Sequence, residues 1–411
     1  MNNYNIDGFQ DIPFEELRGY DTIIDTVEKM MRSYGYKQVL TPSFESYDMY
    51  SIDGALPRDK MFKLVDHTGK VLVLRPDATI PISRMAAMNF KDEKEILKFG
   101  YITTIFRHLS SKTSFRKEFM QAGVEYLGNG MPDCDAEIIA LAISILQSLG
   151  FKNIHIDIGQ VSFLNAIFDD VQLEQKDIYK IYNLIENKNM GELAVCLKSI
   201  DLSSDVKKVI QAIPMLFGKF EETICKAKKI CINERMYAAV NSMEETYEIL
   251  KAYHFGDLIY VDLGFTNQLN YYSGLIFKGY VNDFGEAVLS GGRYDHLSST
   301  FGLPRPASGF GINISLLMDI LNESFDFDHY FDVLLLYDAN HIKQCIPFAT
   351  SLRKENIFTD CIHINNVHNI NLNNYRIILK IKEEQLFQLI NNHEVPITVE
   401  ELVLFFKEEI K

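Results

Sequence analysis

Five short stretches of this chain hold side chains that could grip or transform a ligand. In FRHLSSKTSFRKEFMQAGVEYLG, Phe106 to Gly128, Arg107 precedes a polar, Ser-rich loop and Gln121 and Glu125 follow it. An arginine placed so could hold a phosphate or a carboxylate, or stand as a plain surface cation. NQLNYYSGLIF, Asn267 to Phe277, carries Tyr271 and Tyr272, and SGGRYDHL, Ser290 to Leu297, carries Gly291, Gly292 and Tyr294. A glutamate and phenol hydroxyls brought together could accept and donate hydrogen bonds to a polar ligand. LRPDATIPISR, Leu74 to Arg84, adds Asp77 and Thr79, and GFGINISLLMDIL, Gly309 to Leu321, runs from glycines into an apolar stretch. Taken singly, each has a plainer reading. The tyrosines could be strand aromatics facing opposite sides, Glu125 could face solvent, the glycine pair could be a turn, and His108 and His296 could be structural.

The six cysteines, Cys134, Cys196, Cys225, Cys231, Cys345 and Cys361, form no CxxC pair, and Cys225 and Cys231 are poorly spaced for a zinc knuckle. Scattered reduced thiols are the expectation, with no metal and no cofactor.

The elements that must position these residues can be read from periodicity. Phe14 to Tyr34 is amphipathic, with Leu17, Ile24, Val27 and Met31 at helical spacing and Gly35 as its stop. Tyr36 to Phe44 is extended and bent at Pro42. Val71 to Arg75, Ile96 to Arg107 and Glu118 to Leu127 read as strands, the last two flanking the loop Leu109 to Phe115. Asp133 to Gly150 is a helix with acidic residues at its start and glycine at its end. Lys152 to Ile158 is a strand. Phe163 to about Tyr253 is rich in Leu, Ile, Lys and Glu and reads as a helical insertion. Strands return at Asp257 to Leu263, Asn270 to Tyr280 and Glu286 to Leu289, and Ala307 to Asn322 passes from strand to helix. After a linker, Asn322 to His329, the segment DVLLLYD, a helix at His341 to Glu355 and a strand near Ile357 to His363 describe a small α/β domain, with an Asn-rich loop at Asn365 to Asn374. The pattern is α+β, a mixed antiparallel sheet with helices rather than repeated βαβ units.

In this order and spacing, over about residues 1–325, the segments resemble histidyl-tRNA synthetases, members of the class II aminoacyl-tRNA synthetases. The resemblance implies that class's antiparallel sheet flanked by helices, with the insertion at about 163–253 and a shortened anticodon-binding-like domain at 330–411. It matches Asp77 and Thr79 to the residues holding the amino acid's ammonium group, although Asp77 is shorter than the family's usual glutamate. Gln121 and Glu125 match residues near the ammonium, carboxylate and imidazole, Tyr271 and Tyr272 the pair that recognises imidazole, and Tyr294 closes the far wall. Arg107 matches the arginine that grips the α-phosphate of ATP. The other two arginines of the family fall on Asn267 and Leu316, Ser315 replaces a glutamate, and Leu109 replaces the glutamate that contacts adenine. Losing one preorganised cation costs on the order of 3 kcal/mol of transition-state stabilisation, so no catalytic residue is expected.

A synthetase-like chain that keeps only the amino-acid side resembles the regulatory subunits of short-form ATP phosphoribosyltransferase. That resemblance implies activation of a short catalytic subunit, histidine as the feedback effector, a hetero-octamer of four plus four chains, and a homodimer formed through the Pro42 region. A divergent histidyl-tRNA synthetase and a stand-alone histidine sensor for another protein are the alternatives.

Composition is consistent with such a chain. The 411 residues suggest two or three domains, and 47% are apolar despite the absence of Trp. A net charge of −15 disfavours a phosphate-backbone clamp, so tRNA is not an expected partner. The N-terminus lacks a basic and an apolar signal region, and the longest apolar run, Ile138 to Leu146, is far short of a membrane span. A cytoplasmic protein without membrane contact is expected.

Overall fold

The computed structural model describes residues 6–50, 58–92, 95–108, 116–168, 171, 173–265, 271–321, 331–382, 385–390 and 393–409. They belong to two compact units, residues 1–320 and 321–411. The expected linker at 322–329, the loop at 109–115 and the position of Asn267 lie outside the described residues.

The first unit begins with α1 (Phe14–Ser33), whose buried stripe is Tyr20, Ile23, Val27 and Met31. The stripe expected through Leu17 and Ile24 is rotated: Leu17 is exposed, and Tyr20 turns inward, where its hydroxyl accepts from Arg116 at 2.6 Å. The extended segment resolves into β1 (Lys37–Gln38) and β2 (Phe44–Ser46), broken at Pro42, which has no N–H to give a ladder. Next come β3 (Lys63–Val65), β4 (Val71–Leu74), α2 (Thr79–Asn89) and the long hairpin strands β5 (Leu97–Phe106) and β6 (Glu118–Leu127).

α3 (Pro132–Ser148) opens with Pro at its first position and Asp133 and Asp135 in the first turn, where the helix dipole favours carboxylates. From Ile138 to Leu146 all but Ser144 are buried. A helix apolar all round belongs between layers, and α3 packs between the sheet and a helix of the insertion. Gly150 at φ 89° lets the chain turn away.

β7 (Ile154–Gln160) leads into the insertion, α4 (Val161–Phe168), α5 (Gln175–Glu186), α6 (Met190–Ser199), α7 (Ser204–Ala212), β8 (Phe217–Lys219), α8 (Phe220–Ile230) and α9 (Glu234–Ala252). Periodicity predicts a purely helical insertion, and the structure corrects it by one short strand. β8, too short to show alternation, pairs with β9 (Ile259–Asp262) and adds an edge to the main sheet. β10 (Leu275–Val281), β11 (Leu289–Arg293), β12 (Ala307–Asn313) and α10 (Ile314–Leu321) complete the unit.

The nine strands run β1-β5-β6-β12-β11-β10-β7-β9-β8, antiparallel except where β1 meets β5 and β7 meets β9. α1 and α3 pack against one face, with α9 outside α3. On the other face, α2 and the small sheet β2-β4-β3 enclose a core of Val73, Ile80, Ile82, Phe99, Tyr101 and Tyr294. The strand expected at Glu286 to Leu289 lies at Leu289–Arg293 instead, so Gly291 and Gly292 are mid-strand and not a turn. Packing explains the glycines: a Cβ on Gly291 would stand 2.3 Å from the Gly309 carbonyl oxygen.

The second unit is a five-stranded sheet, ordered β14-β13-β15-β16-β17, of β13 (Phe331–Tyr337), β14 (Thr359–His363), β15 (Tyr375–Lys382), β16 (Gln385–Ile390) and β17 (His393–Ile397). α11 (Ile342–Lys354) and α12 (Val399–Glu409) share a core with one face, Val333, Leu335, Leu352, Leu402 and Phe406. The Asn-rich stretch holds two short 3-10 turns, Ile364–Asn369 and Leu372–Asn374. Among the described residues no helix is long and apolar enough to cross a membrane.

Candidate functional site

Strand register brings the chemistry together. On β6 the side chains of Gln121, Gly123 and Glu125 face one side, opposite Thr103, Tyr101 and Phe99 of β5 and Asn313, Gly311 and Gly309 of β12. The glycines make room. A Cβ on Gly309 would fall 2.0 Å from Glu125 Oε2, and one on Gly311 would fall 2.6 Å from Gln121 Nε2. The glycine-rich strand is therefore a floor over which two polar side chains lie flat.

Glu125 is the hub. It is 1% exposed. Its Oε1 accepts from the Thr79 hydroxyl at 2.6 Å, and its Oε2 accepts from the Tyr294 hydroxyl. Burial pushes its carboxyl up to about 8, against the pull of those two donors. Asp77 stands near it at the start of α2, where its Oδ1 accepts from the Ile80 backbone N–H at 3.0 Å. Burial also raises its pKa, opposed by that N–H and by Arg107. Burial lowers the pKa of Arg107, and the Asp77 charge opposes the shift. Asp77 Oδ2 and Arg107 Nε are buried with no hydrogen-bond partner among the described residues. A buried acceptor and a buried donor left open cost free energy unless a ligand meets them.

Tyr271 and Tyr272 precede β10 rather than lying on the strand, because pairing begins only at Leu275. They do not face opposite sides of a sheet. Both pack on the core that holds Tyr294, their rings 4.8 Å apart, and Tyr271 meets Tyr294 edge-on at 5.8 Å. Their hydroxyls hydrogen-bond each other, and burial raises the pKa of both, so they stay neutral donors and acceptors. All eight expected residues, Asp77, Thr79, Arg107, Gln121, Glu125, Tyr271, Tyr272 and Tyr294, thus lie on this one side of the sheet or in the segments covering it.

Sequence reading missed Tyr101. Its hydroxyl donates to Gln121 Oε1 at 3.2 Å, and its ring lies over Gly123, where a Cβ would meet the hydroxyl at 2.6 Å. Only the cross-strand register with Gly123 could have pointed to it. Arg293, inside the SGGRYDHL stretch, was also missed as a support. Its guanidinium pairs with Asp135 at 3.0 Å and donates to the Met131 carbonyl at 3.0 Å, tying β11 to the start of α3. His108 is structural in its setting, stacked on Phe62 at 4.3 Å.

The structure also places the two residues of α10 that stand where the resemblance sets an arginine and a glutamate. Leu316 is buried, and its N–H is capped by Asn313 Oδ1 at 3.0 Å. The Ser315 hydroxyl accepts from the Met120 N–H at 3.0 Å. Leu109 and Asn267 lie outside the described residues. Among the described residues no cluster of His, Cys, Asp or Glu is arranged to hold a metal ion.

The sheet, its glycine floor and the carboxylate–phenol network define a class II synthetase-like fold of the histidyl type. The family model described as Histidyl-tRNA synthetase matches residues 8–317. A solved structure described as an ATP phosphoribosyltransferase regulatory subunit/histidyl-tRNA synthetase from Bacillus halodurans superposes with a TM-score of 0.82 at 29% identity, covering 92% of this chain and 98% of that one. Closer in sequence are two curated proteins named ATP phosphoribosyltransferase regulatory subunit. That of Ruminiclostridium cellulolyticum is 36% identical over 360 residues, 86% of this chain and 85% of its own length. That of Clostridium acetobutylicum is 39% identical over 330 residues, 79% of this chain and 80% of its own. The chain belongs to the family of ATP phosphoribosyltransferase regulatory subunits, within the histidyl-tRNA synthetase fold.

Proposed function

We propose that this chain is the non-catalytic partner of a short-form ATP phosphoribosyltransferase catalytic subunit, which it activates and through which histidine exerts feedback inhibition. The observation that carries the reading is the contrast between the two halves of the site. The amino-acid half holds Asp77 Oδ2 and Arg107 Nε, buried beside the Glu125 network with no hydrogen-bond partner among the described residues, whereas the phosphate half has a buried leucine at Leu316. Histidine meets the open groups. Its ammonium pairs with Asp77 and Thr79, its carboxylate lies toward Arg107 and Gln121, and its imidazole lies against Glu125, Tyr271, Tyr272 and Tyr294. Adenylation would need fixed cations where charge develops on the α-phosphate, and of the three arginine positions that the resemblance matches, this sequence keeps an arginine at Arg107 and has Asn267 and Leu316 at the others.

The relatives' name supports a catalytic phosphoribosyltransferase chain as partner. We take the assembly to be four plus four chains built on a homodimer of this one, in the cytoplasm. Residues 330–411 are a shortened counterpart of the anticodon-binding domain, and the acidic run VEELVLFFKEEI suits tRNA poorly.

The test is reconstitution. Co-expressed with a short catalytic chain, this protein should co-purify with it, raise its turnover and make that turnover histidine-sensitive. Calorimetry should detect histidine binding without ATP. If no histidine binds, alone or in the complex, the pocket assignment falls. If the chains neither associate nor affect each other, the partner assignment falls.

A further inference from the structure

The second unit holds a thiol pair that the proposed function does not use. Cys345 lies on α11 and is 1% exposed. Cys361 lies on β14, where it pairs in register with Leu335 of β13. Leu335 belongs to the core under α11, and Cys345 and Cys361 both join that core. The two side chains therefore meet in the core between helix and strand, near enough for the Cys345 thiol to offer its proton to the Cys361 sulfur. Cys361 is only partly buried.

A fixed cation stands beside them. Arg353, in the last turn of α11, donates through Nε and Nη2 to the Thr359 carbonyl at 3.1 and 2.7 Å, which holds its guanidinium against β14. Its Nη2 reaches Cys361 Sγ at 3.8 Å. The hydrogen bond from Cys345 draws the Cys361 thiol down to about 7, and Arg353 adds to this against burial and the Asp360 charge. Burial and the same hydrogen bond push Cys345 the other way. Asp360 is itself engaged, accepting from the Tyr375 hydroxyl at 2.7 Å. A partly exposed thiolate beside a second thiol is the arrangement in which a sulfenic acid is resolved before it oxidises further.

We propose that Cys345 and Cys361 form a reversible disulfide site, oxidised by hydroperoxides and reduced by small thiols. The Cys361 thiolate attacks one peroxide oxygen. An S–O bond forms and the O–O bond breaks. The departing alkoxide or hydroxide takes a proton, and Cys361 becomes a sulfenic acid. The Cys345 sulfur then attacks that sulfur. The S–S bond forms, the S–O bond breaks, and hydroxide leaves as water with the proton from Cys345. Two electrons pass from the thiol pair to the hydroperoxide.

The experiment uses the full chain. It is treated with hydrogen peroxide, blocked with N-ethylmaleimide and mapped without reduction. We expect a linked pair of peptides containing Cys345 and Cys361, an intact mass lower by two hydrogen atoms when it is read before blocking, and reversal by dithiothreitol. Cys345→Ala should convert the product to a sulfenic acid at Cys361 that dimedone traps, and Cys361→Ser should leave Cys345 a free thiol. A stable sulfinic acid on Cys361 beside an unmodified Cys345 overturns the proposal, as does faster oxidation of the exposed Cys225. Wild-type protein gives a second readout that does not depend on a variant folding. Alkylation of Cys361 by iodoacetamide should rise through about pH 7 and then level off. A rate still climbing well above that range overturns the proposal.

Discussion

At the scale of single residues, the pocket is organised around a carboxyl that burial keeps protonated. Burial raises Glu125 to about 8 in the folded protein against an ordinary value of 4.5. The sign follows from linkage. A folded-state pKa raised above the unfolded one contributes stability that is complete below about pH 4.5 and is lost as pH rises towards about 8. Wild type should therefore lose stability across that window, by a few kcal/mol at most at roughly 1.4 kcal/mol per pKa unit. Glu125→Gln, which keeps an acceptor for one of the two hydroxyls and offers an N–H to the oxygen of the other, should lack that slope. Paired thermal melts over the window check this, and parallel curves for the two proteins would contradict it. For the ligand, Glu125→Ala should weaken histidine binding by about 1–3 kcal/mol, because a buried donor on the imidazole then finds no acceptor. Calorimetry on the purified variant measures the loss, and an unchanged Kd would move the imidazole elsewhere.

At the scale of elements, the site depends on one strand that has no side chains where it passes under Glu125 and Gln121. β12 carries Gly309 and Gly311 under Glu125 and Gln121. Gly309→Ala would force a methyl to within 2.4 Å of the Val124 carbonyl oxygen as well as onto Glu125. Backbone cannot give way as a side-chain tip can. The expected cost is about 1–3 kcal/mol of stability, the usual range for overpacking, together with loss of histidine binding. Denaturant midpoints and calorimetry check the two effects separately, and a variant of wild-type stability that still binds would show that the strands are not so tightly apposed. The long elements were legible from the sequence: α1, β5, β6 and α3 lie within two or three residues of their expected bounds, because apolar period and glycine stops are local signals. What was not legible depended on register. The inward turn of Tyr20, the place of Tyr101 over Gly123, and the glycine pair of β11 as strand rather than turn are set by neighbours distant in the chain. β8 was invisible because three residues cannot display a period. The eight residues proposed for the site were picked out through order and spacing shared with one family, not through local chemistry. Tyr271 and Tyr272 alone would have passed for ordinary strand aromatics.

At the scale of the whole molecule, predictions concern assembly and regulation. Leu40 and Phe44, on either side of Pro42, are 78% and 52% exposed. Apolar side chains so placed beside a short edge strand support a homodimer across that region. Sedimentation at micromolar concentration should show a dimer, and Leu40→Asp should shift it towards monomer. A wild-type monomer would count against the proposed assembly. In the reconstituted complex, Tyr272→Ala should leave activation of the catalytic chain largely intact while raising the histidine concentration needed for inhibition. Feedback requires that histidine bind two states of the assembly unequally, and a coupling of roughly 1–3 kcal/mol is typical. Inhibition curves for wild type and variant that superimpose would place feedback outside this pocket.

The short strand β8 has a mechanical consequence for that regulation. It joins the insertion to the main sheet by backbone hydrogen bonds, with Phe217 paired to Asp262 and Lys219 to Tyr260. From there the sheet runs without a break through β9, β7, β10, β11 and β12 to β6, which carries Glu125. A sheet resists shear along its ladder far better than a string of side-chain contacts does. The insertion is thus a lever welded to the beam that carries the pocket, rather than a flap hung from it. A protein that gripped its helices would load the floor beneath Glu125 directly, and a ligand that stiffened that floor would be felt at the lever's far end.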